Sequence, residues 1–329
     1  MKMFLCICLS PAIDATVRLP AWPTDGCILK DAREVLAPGG KGLNVDGTFT
    51  ATGGTMTIKT SGNAVVASSN GTLSTVNSSQ QLDKYDSDYK SSPKGIKIDG
   101  AITISDNAAI FVTTKGAGGE GIESKTSIDI TGGWVTVNAS DDAINASYND
   151  DTKSLSNAGD MTISGGYVYA HSTGNDGIDA NGNVYIKGGV VYAIGTSTPE
   201  VAIDANSEEQ KKLYVTGGTI IAIGGLENGA QLTQSCYQAS SWNKNTWYAM
   251  TVGSETFVFK TPSSGGNTMV VSGASQPTLK SGVTVSGGTS IFDGVAYTGA
   301  SFTGGSNVTL SSYTGGGGFP GGGPGGGWH

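Results

Sequence analysis

From about residue 46 onward, apolar and polar residues alternate in short runs, the pattern of strands with one buried face. The runs SIDITGGWVTVNA (127–139), DMTISGGYVYAH (160–171), NVYIKGGVVYAI (183–194) and KLYVTGGTIIAI (212–223) share one layout, in which a Gly-Gly pair separates two apolar-alternating segments. Weaker copies stand at 49–67 (FTATGGTMTIKTSGNAVVA) and 283–292 (VTVSGGTSIF). The pairs begin at 132, 165, 188 and 217, steps of 33, 23 and 29 residues. A third short apolar segment supplies Ile96, Ile122, Ile144, Ile178 and Ile203. A repeat of this period with strand-like units is the signature of a solenoid. No amphipathic helical period interrupts it. The pattern predicts an all-β chain, a right-handed parallel β-helix over 46–314, with glycine corners between the first two strands of each coil and loops of variable length at one corner.

Two stretches depart from the repeat. Residues 226–262 carry Cys236, Trp242, Trp247 and Tyr248 and a hairpin-like TWYAMTVGSETFVFK, which reads as an elaborated loop. The tail 315–329, GGGGFPGGGPGGGWH, has little apolar content to pack and is expected to be disordered. Glycine makes up 52 of the 329 residues, more than twice the usual ~7%.

Residues 1–45 read differently. LSPAID (9–14) and PGGKGLN (38–44) resemble the opening of ribokinase-like sugar kinases, most closely the 1-phosphofructokinase branch. The resemblance implies sugar contacts at Asp14, Gly39, Gly40, Lys41 and Asn44. It covers about one seventh of the chain and stops at Val45. The family's later Gly-Ala-Gly-Asp loop is missing: Asn157-Ala158-Gly159-Asp160 runs straight into a strand pattern. Without a nucleotide site or a base, no kinase activity is expected. The segment is read as a truncated kinase-like fragment that covers the first coil as an imperfect cap. Lys2 followed by MFLCICL fits the kinase strand better than a signal peptide.

Charge and cysteine usage narrow the partners. Residues 46–329 hold 14 lysines, no arginine and 23 acids. Such a surface has no basic patch for a phosphate backbone, so nucleic acid is not expected as a partner. The longest apolar run, Met3–Leu9, falls far short of the ~20 residues of a membrane span. Four cysteines without a CxxC spacing give neither a disulfide framework nor a zinc signature, and His171 and His329 stand without partner motifs.

The outward positions of the third strand form two columns. One reads Lys94, Glu120, Asp142, Asp176, Val201; the other reads Lys97, Glu123, Asn145, Asp179, Asp204, with Asp141 and Glu200 beside the first. Successive members sit about 4.8 Å apart, where two like charges repel by roughly 3 kcal/mol at an effective dielectric of 20. A cation between the rungs relieves that repulsion, and Ca²⁺, with six to eight flexible oxygen ligands, suits it. The alternative is a solvated acidic face. After the Gly-Gly pairs, Trp134, Tyr167, Tyr169 and Tyr192 form an outward strip that either stacks on pyranose rings or stabilises its neighbours across the strands.

The strings GGWVTV, DDAINA and NDGIDA resemble a carbohydrate-binding β-helix family of pectate-lyase-like fold, over about 46–310. The resemblance implies export to the cell surface or medium, and binding of cellulose or of acidic sugars such as polygalacturonate. It also implies calcium at Asp141, Asp142, Asp176, Asp179 and Asp204, with Glu120, Glu123 and Glu200 as further ligands. The leading expectation is non-catalytic, calcium-dependent binding of a plant cell-wall polysaccharide, assisted by Lys94 and Lys97. Two alternatives are carried: a pectate lyase using Lys94 or Lys97 as base, since no arginine follows Arg33, and a structural or adhesive surface protein.

Overall fold

A computed structural model describes residues 41–60 and 93–315 in full, and elsewhere the backbone of short strands between Met3 and Ala37 and between Val65 and Ser91. The chain is all-β; among the described residues the only helical turns are the 3₁₀ segments Ser207–Glu209 and Phe292–Gly294. Three ladders carry the repeat. Ladder I contains Lys41–Val45, Lys94–Ile98, Glu120–Ser124, Ile144–Ala146 and Ile178–Ala180, continued by single bridges at Ile203 and Leu226. Ladder II runs through Phe49–Ala51, Ile102–Ile104, Ser127–Ile130, Asp160–Ile163, Val184–Ile186, Leu213–Val215 and Gln231–Leu232. Ladder III runs through Thr55–Thr60, Ala109–Thr114, Trp134–Ala139, Tyr167–Ser172, Val190–Ile194 and Thr219–Ile223. All these pairings are parallel, and the chain visits I, II and III in that order again and again.

Register is what makes the core. Ile96, Ile122, Ile144 and Ile178 pair in series, as do Ile102, Ile128, Met161, Val184 and Leu213, and Ile110, Val135, Val168, Val191 and Ile220. All are at most 1% exposed and join one cluster between the ladders. Each such side chain contributes about 1.5–3 kcal/mol by leaving water. The Gly-Gly corner follows from the same closeness. The second glycine of each pair is left-handed, as at Gly166 (φ 76°) and Gly189 (φ 79°). The first lies against the preceding rung: a Cβ on Gly165 would come 2.3 Å from the Thr131 carbonyl oxygen.

Parts of the N-terminal segment enter the stack as strands. Lys41–Val45 pairs in parallel with Lys94–Ile98, Leu43 against Ile96 and Asn44 against Lys97, and Leu43 is buried in the common core. Cys27–Ile28 and Val35–Ala37 likewise add parallel backbone pairings to ladders II and III. The motif residue Asp14 begins a strand, Asp14–Leu19, antiparallel to Met3–Cys8; Gly39, Gly40 and the tail from 316 lie outside the described residues.

The parallel pattern ends near Leu232, which corrects the reading of 283–292 as a repeat copy. Met269–Ser272 pairs antiparallel with Thr219–Ile223 and carries Cys236–Ala239 and then Leu310–Tyr313, extending ladder III with strands of alternating direction. The remaining C-terminal strands form a separate antiparallel six-stranded sheet in the order Thr289–Ile291, Ala296–Thr298, Glu255–Lys260, Trp247–Val252, Thr278–Ser286, Ser301–Asn307. The hairpin-like stretch is its centre, turning at Gly253 and Ser254. Its apolar face (Tyr248, Met250, Phe257, Phe259, Leu279) packs on the outer side of ladder III, burying Tyr192, Ile221 and Ile223.

Replacing Gly189 by alanine forces a left-handed non-glycine corner, about 1–2 kcal/mol, and brings a Cβ within 2.8 Å of the Gly165 carbonyl carbon and oxygen. Chemical denaturation is expected to show a loss of at least about 2 kcal/mol with an unchanged slope.

Candidate acidic site on ladder I

The outward side of ladder I carries the charged columns. Lys41, Lys94 and Glu120 pair in series; Asp142 and Asp176 take the same place two residues before Ile144 and Ile178. In the second column Asn44, Lys97, Glu123, Asn145 and Asp179 are direct partners. Asp204 and Glu227 continue it, each following a bridged apolar residue, Ile203 and Leu226. Between the columns stands a row of small residues, among them Gly121, Ala143, Gly177 and Ala202. A Cβ on Gly121 would come 2.2 Å from Val137 Cγ1, so these strands lie tight against ladder III.

The two ends of this face differ in electrostatics. At the first coils the acids are matched. Lys94 is buried and bonded to Glu120, and its Nζ lies 3.4 Å from Glu123. Lys125 reaches Glu123 at 2.6 Å, and Ser147 Oγ donates to the same carboxylate at 3.2 Å. Burial pushes the Glu123 carboxyl up, but Lys94 and Lys125 outweigh it and hold it at about 2. For Lys94, burial favours the neutral amine, yet Glu120 and Glu123 prevail and keep it protonated above its ordinary range. Glu120 itself is raised to about 7, by burial and by Glu123 and Asp141, in spite of Lys94. Lys97 pairs with Asp99.

Toward the later coils no salt bridge balances the acids among the described residues. One carboxylate oxygen from each of Asp176, Asp179 and Asp204 lies within 4.8 Å of the others. Asp142 and Asp176 are buried, and each spends one oxygen on the next rung: Asp142 Oδ1 accepts the Asp176 amide at 3.0 Å, and Asp176 Oδ1 accepts the Val201 amide at 2.6 Å. Burial, followed by neighbouring carboxylates, raises Asp142, Asp176 and Asp179 well above the usual carboxylate range. Asp141 is raised by burial although Lys94 and Asn175 oppose it, and Glu200 by burial, Asp204 and Asp141. Glu227 is raised to about 9 by burial and by a hydrogen bond to Asp204. Glu227 falls in the stretch 226–262 that reads as an elaborated loop; its signal is the step Leu226-Glu227 at the place of Ile203-Asp204.

Among the described residues this is a converging set of oxygen donors with no salt-bridging cation, histidine or thiol. Such donors suit hard divalent ions of the calcium and magnesium type over zinc or copper. Of the sequence-predicted residues, Asp176, Asp179 and Asp204 converge, and Asp142 and Glu200 act electrostatically on that group. Asp141 interacts with Asp142, Glu200 and Lys94, Glu120 with Asp179 and Lys94, and Glu123 is matched by Lys94 and Lys125.

The outward aromatic strip is corrected by the fold. Tyr169 and Tyr192 are 3% and 0% exposed, because the six-stranded sheet lies over them. Tyr169 packs against Phe292 and Tyr192 against Phe259, and Tyr192 Oη donates to the Lys260 carbonyl at 3.0 Å. Trp134 and Tyr167 stay half-buried and stack on one another, ring centroids 6.0 Å apart and planes at 6°. His171 is held neutral by burial, near 4, with Nδ1 3.3 Å from both Tyr169 Oη and Asn138 Oδ1.

The raised carboxyls set a sign for pH dependence. In the unfolded chain these groups lose their protons near pH 4; folded, they keep them to higher pH. Their contribution to stability is thus full below about pH 4 and is lost as pH rises through 7 (Glu120) and 9 (Glu227). Calorimetry in chelator is expected to show the unfolding midpoint falling from pH 5 to pH 9. Asp179→Asn should raise stability at pH 8 by on the order of 1 to 3 kcal/mol through lost repulsion.

Comparison with known proteins agrees with a binding role. Residues 91–240 match a family described as carbohydrate-binding domain-containing protein. That span holds the whole acidic face from Lys94 to Glu227 and ends before the six-stranded sheet. No curated protein and no solved structure matches the chain. The family match supports carbohydrate binding.

Proposed function

We propose that the three ladders wind as a right-handed parallel β-helix whose ladder I face binds an acidic plant cell-wall polysaccharide, polygalacturonate, through Ca²⁺. The reading is carried by Asp176, Asp179 and Asp204, whose oxygens converge within 4.8 Å with no salt bridge to them among the described residues. Asp142, Glu200 and Glu227 stand as further oxygens around that centre, and a bound Ca²⁺ would supply the positive charge that joins protein carboxylates to uronate carboxylates. Asp142 and Asp176 hold their orientation through the backbone amides of the following rung. On this reading the protein acts outside the cell, where such polymers occur.

Binding without catalysis is the better account. Proton abstraction next to a uronate carboxylate needs a neutral lysine or an equivalent base. Lys94 is buried between Glu120 and Glu123 and kept protonated, Lys97 is paired with Asp99, and no arginine follows Arg33.

Titration of polygalacturonate into the protein tests the proposal. Chelation should weaken binding at least tenfold, about 1.4 kcal/mol, with calcium restoring it, and Asp179→Ala should lose the calcium response. Equal affinity with calcium and with chelator would refute calcium bridging, and absence of binding in both would refute this ligand.

A further inference from the structure

The six-stranded sheet has a second face, turned away from ladder III. Alternation along its strands places Trp247, Ala249, Val258, Lys260 and Tyr297 there, opposite Tyr248, Met250, Phe257 and Phe259. Gly282, left-handed at φ 72°, interrupts the alternation of its strand, so that Lys280, Val283 and Val285 all join this side. Ala249 and Val258 are 2% and 0% exposed beneath the half-buried Trp247 and Tyr297. These two rings lie 5.6 Å apart with planes tilted by 50°, unlike the parallel stack of Trp134 on Tyr167. Across the sheet Phe302 stands opposite Val285, with Lys280 Nζ 5.9 Å over its ring.

Charge on this sheet is balanced, unlike the acidic remainder of the chain. Residues 247–307 hold Lys260 and Lys280 with the acids Glu255 and Asp293. Lys260 is the direct partner of Trp247, and Lys280 is the partner of Ala249 on the other side. Glu255 shares the alternation of Phe257 and Phe259 and so belongs to the opposite side, and Asp293 lies in the 3₁₀ turn. Lys260 thus stands beside Trp247, Lys280 lies opposite Ala249 with its Nζ over Phe302, and the two described acids of this stretch lie off this face. Aromatic rings with an open face stack on the C–H side of a pyranose, and an adjacent lysine pairs with a carboxylate on the sugar.

We infer that the outer face of this sheet, centred on Trp247, Tyr297, Lys260, Lys280 and Phe302, is a second binding site for a uronate chain, independent of metal. The inference rests on the carbohydrate-binding reading above but on none of its residues. It gives one polymer two contacts of opposite chemistry on one molecule: lysines here, and carboxylates on ladder I.

The test is polygalacturonate titration of the full chain in chelator, read by calorimetry and by tryptophan emission. Wild type should keep a weak, salt-sensitive binding with a change in emission. Trp247→Ala and Lys280→Ala should each weaken it at least tenfold, the scale of losing an interface anchor. Trp247→Phe should bind but lose the emission change. Thermal melts identify a variant that fails to fold, in which case Lys280→Ala and Trp247→Phe decide. Calcium-dependent binding with no residual in chelator would overturn this site and leave ladder I standing; no binding under any condition would overturn both. A residual indifferent to Trp247 and Lys280 would overturn it. So would sedimentation showing that this face joins two copies of the chain.

Discussion

In-register parallel pairing is the constraint from which the rest follows. It sets equivalent residues of successive coils directly above one another at the strand spacing of about 4.8 Å, whatever their chemistry. For isoleucine and valine this is favourable, and the columns from Ile96 to Ile203 and from Ile110 to Ile220 become a continuous core. For carboxylates it is unfavourable, since the geometry that packs Ile178 beneath Ile203 also holds Asp179 beneath Asp204. The acids cannot spread apart without breaking the core. The stack therefore concentrates negative charge at one edge and stabilises it there with aliphatic burial on the other side of the same strands.

The glycine corners and the small-residue row serve the same closeness. At Gly165 the preceding rung leaves no room for a Cβ, and at Gly121 the core of ladder III leaves none. Lys94 shows how the chain handles charge where balance is available: one buried ammonium meets two glutamates, with Lys125 completing the set. Two rungs later that compensation stops. The contrast is between an ion-pair network and a run of carboxylates that no described side chain salt-bridges.

Much of this was legible in the sequence, because alternation and the Gly-Gly spacing are local signals. They placed Ile122, Ile144 and Ile178 inward and Asp142, Asp176 and Asp179 outward, in the columns found. What was not legible depended on partners distant in the chain. Tyr169 and Tyr192 carry an outward alternation, and only the strands from 247 to 298 decide that they are covered. VTVSGG has the same local pattern as a repeat copy, yet its partners are antiparallel strands, and a single strand does not encode the direction of its neighbour. Lys41–Val45 was set apart by its motif, although GLNV alternates well enough to become a rung.

The backbone bonds made by Asp142 and Asp176 reach further than local capping. Each carboxylate is fastened by one oxygen to the amide of the following rung, so its second oxygen is positioned by the main chain before anything binds. Magnesium demands short, near-octahedral contacts at ~2.1 Å, whereas calcium accepts a looser shell at ~2.3–2.6 Å. To draw these carboxylates inward, a small ion would have to pull whole rungs out of register. If the proposed ion is held here, the stiffness of the stacked strands would favour the larger radius, and the same acids on a flexible loop would lack that bias.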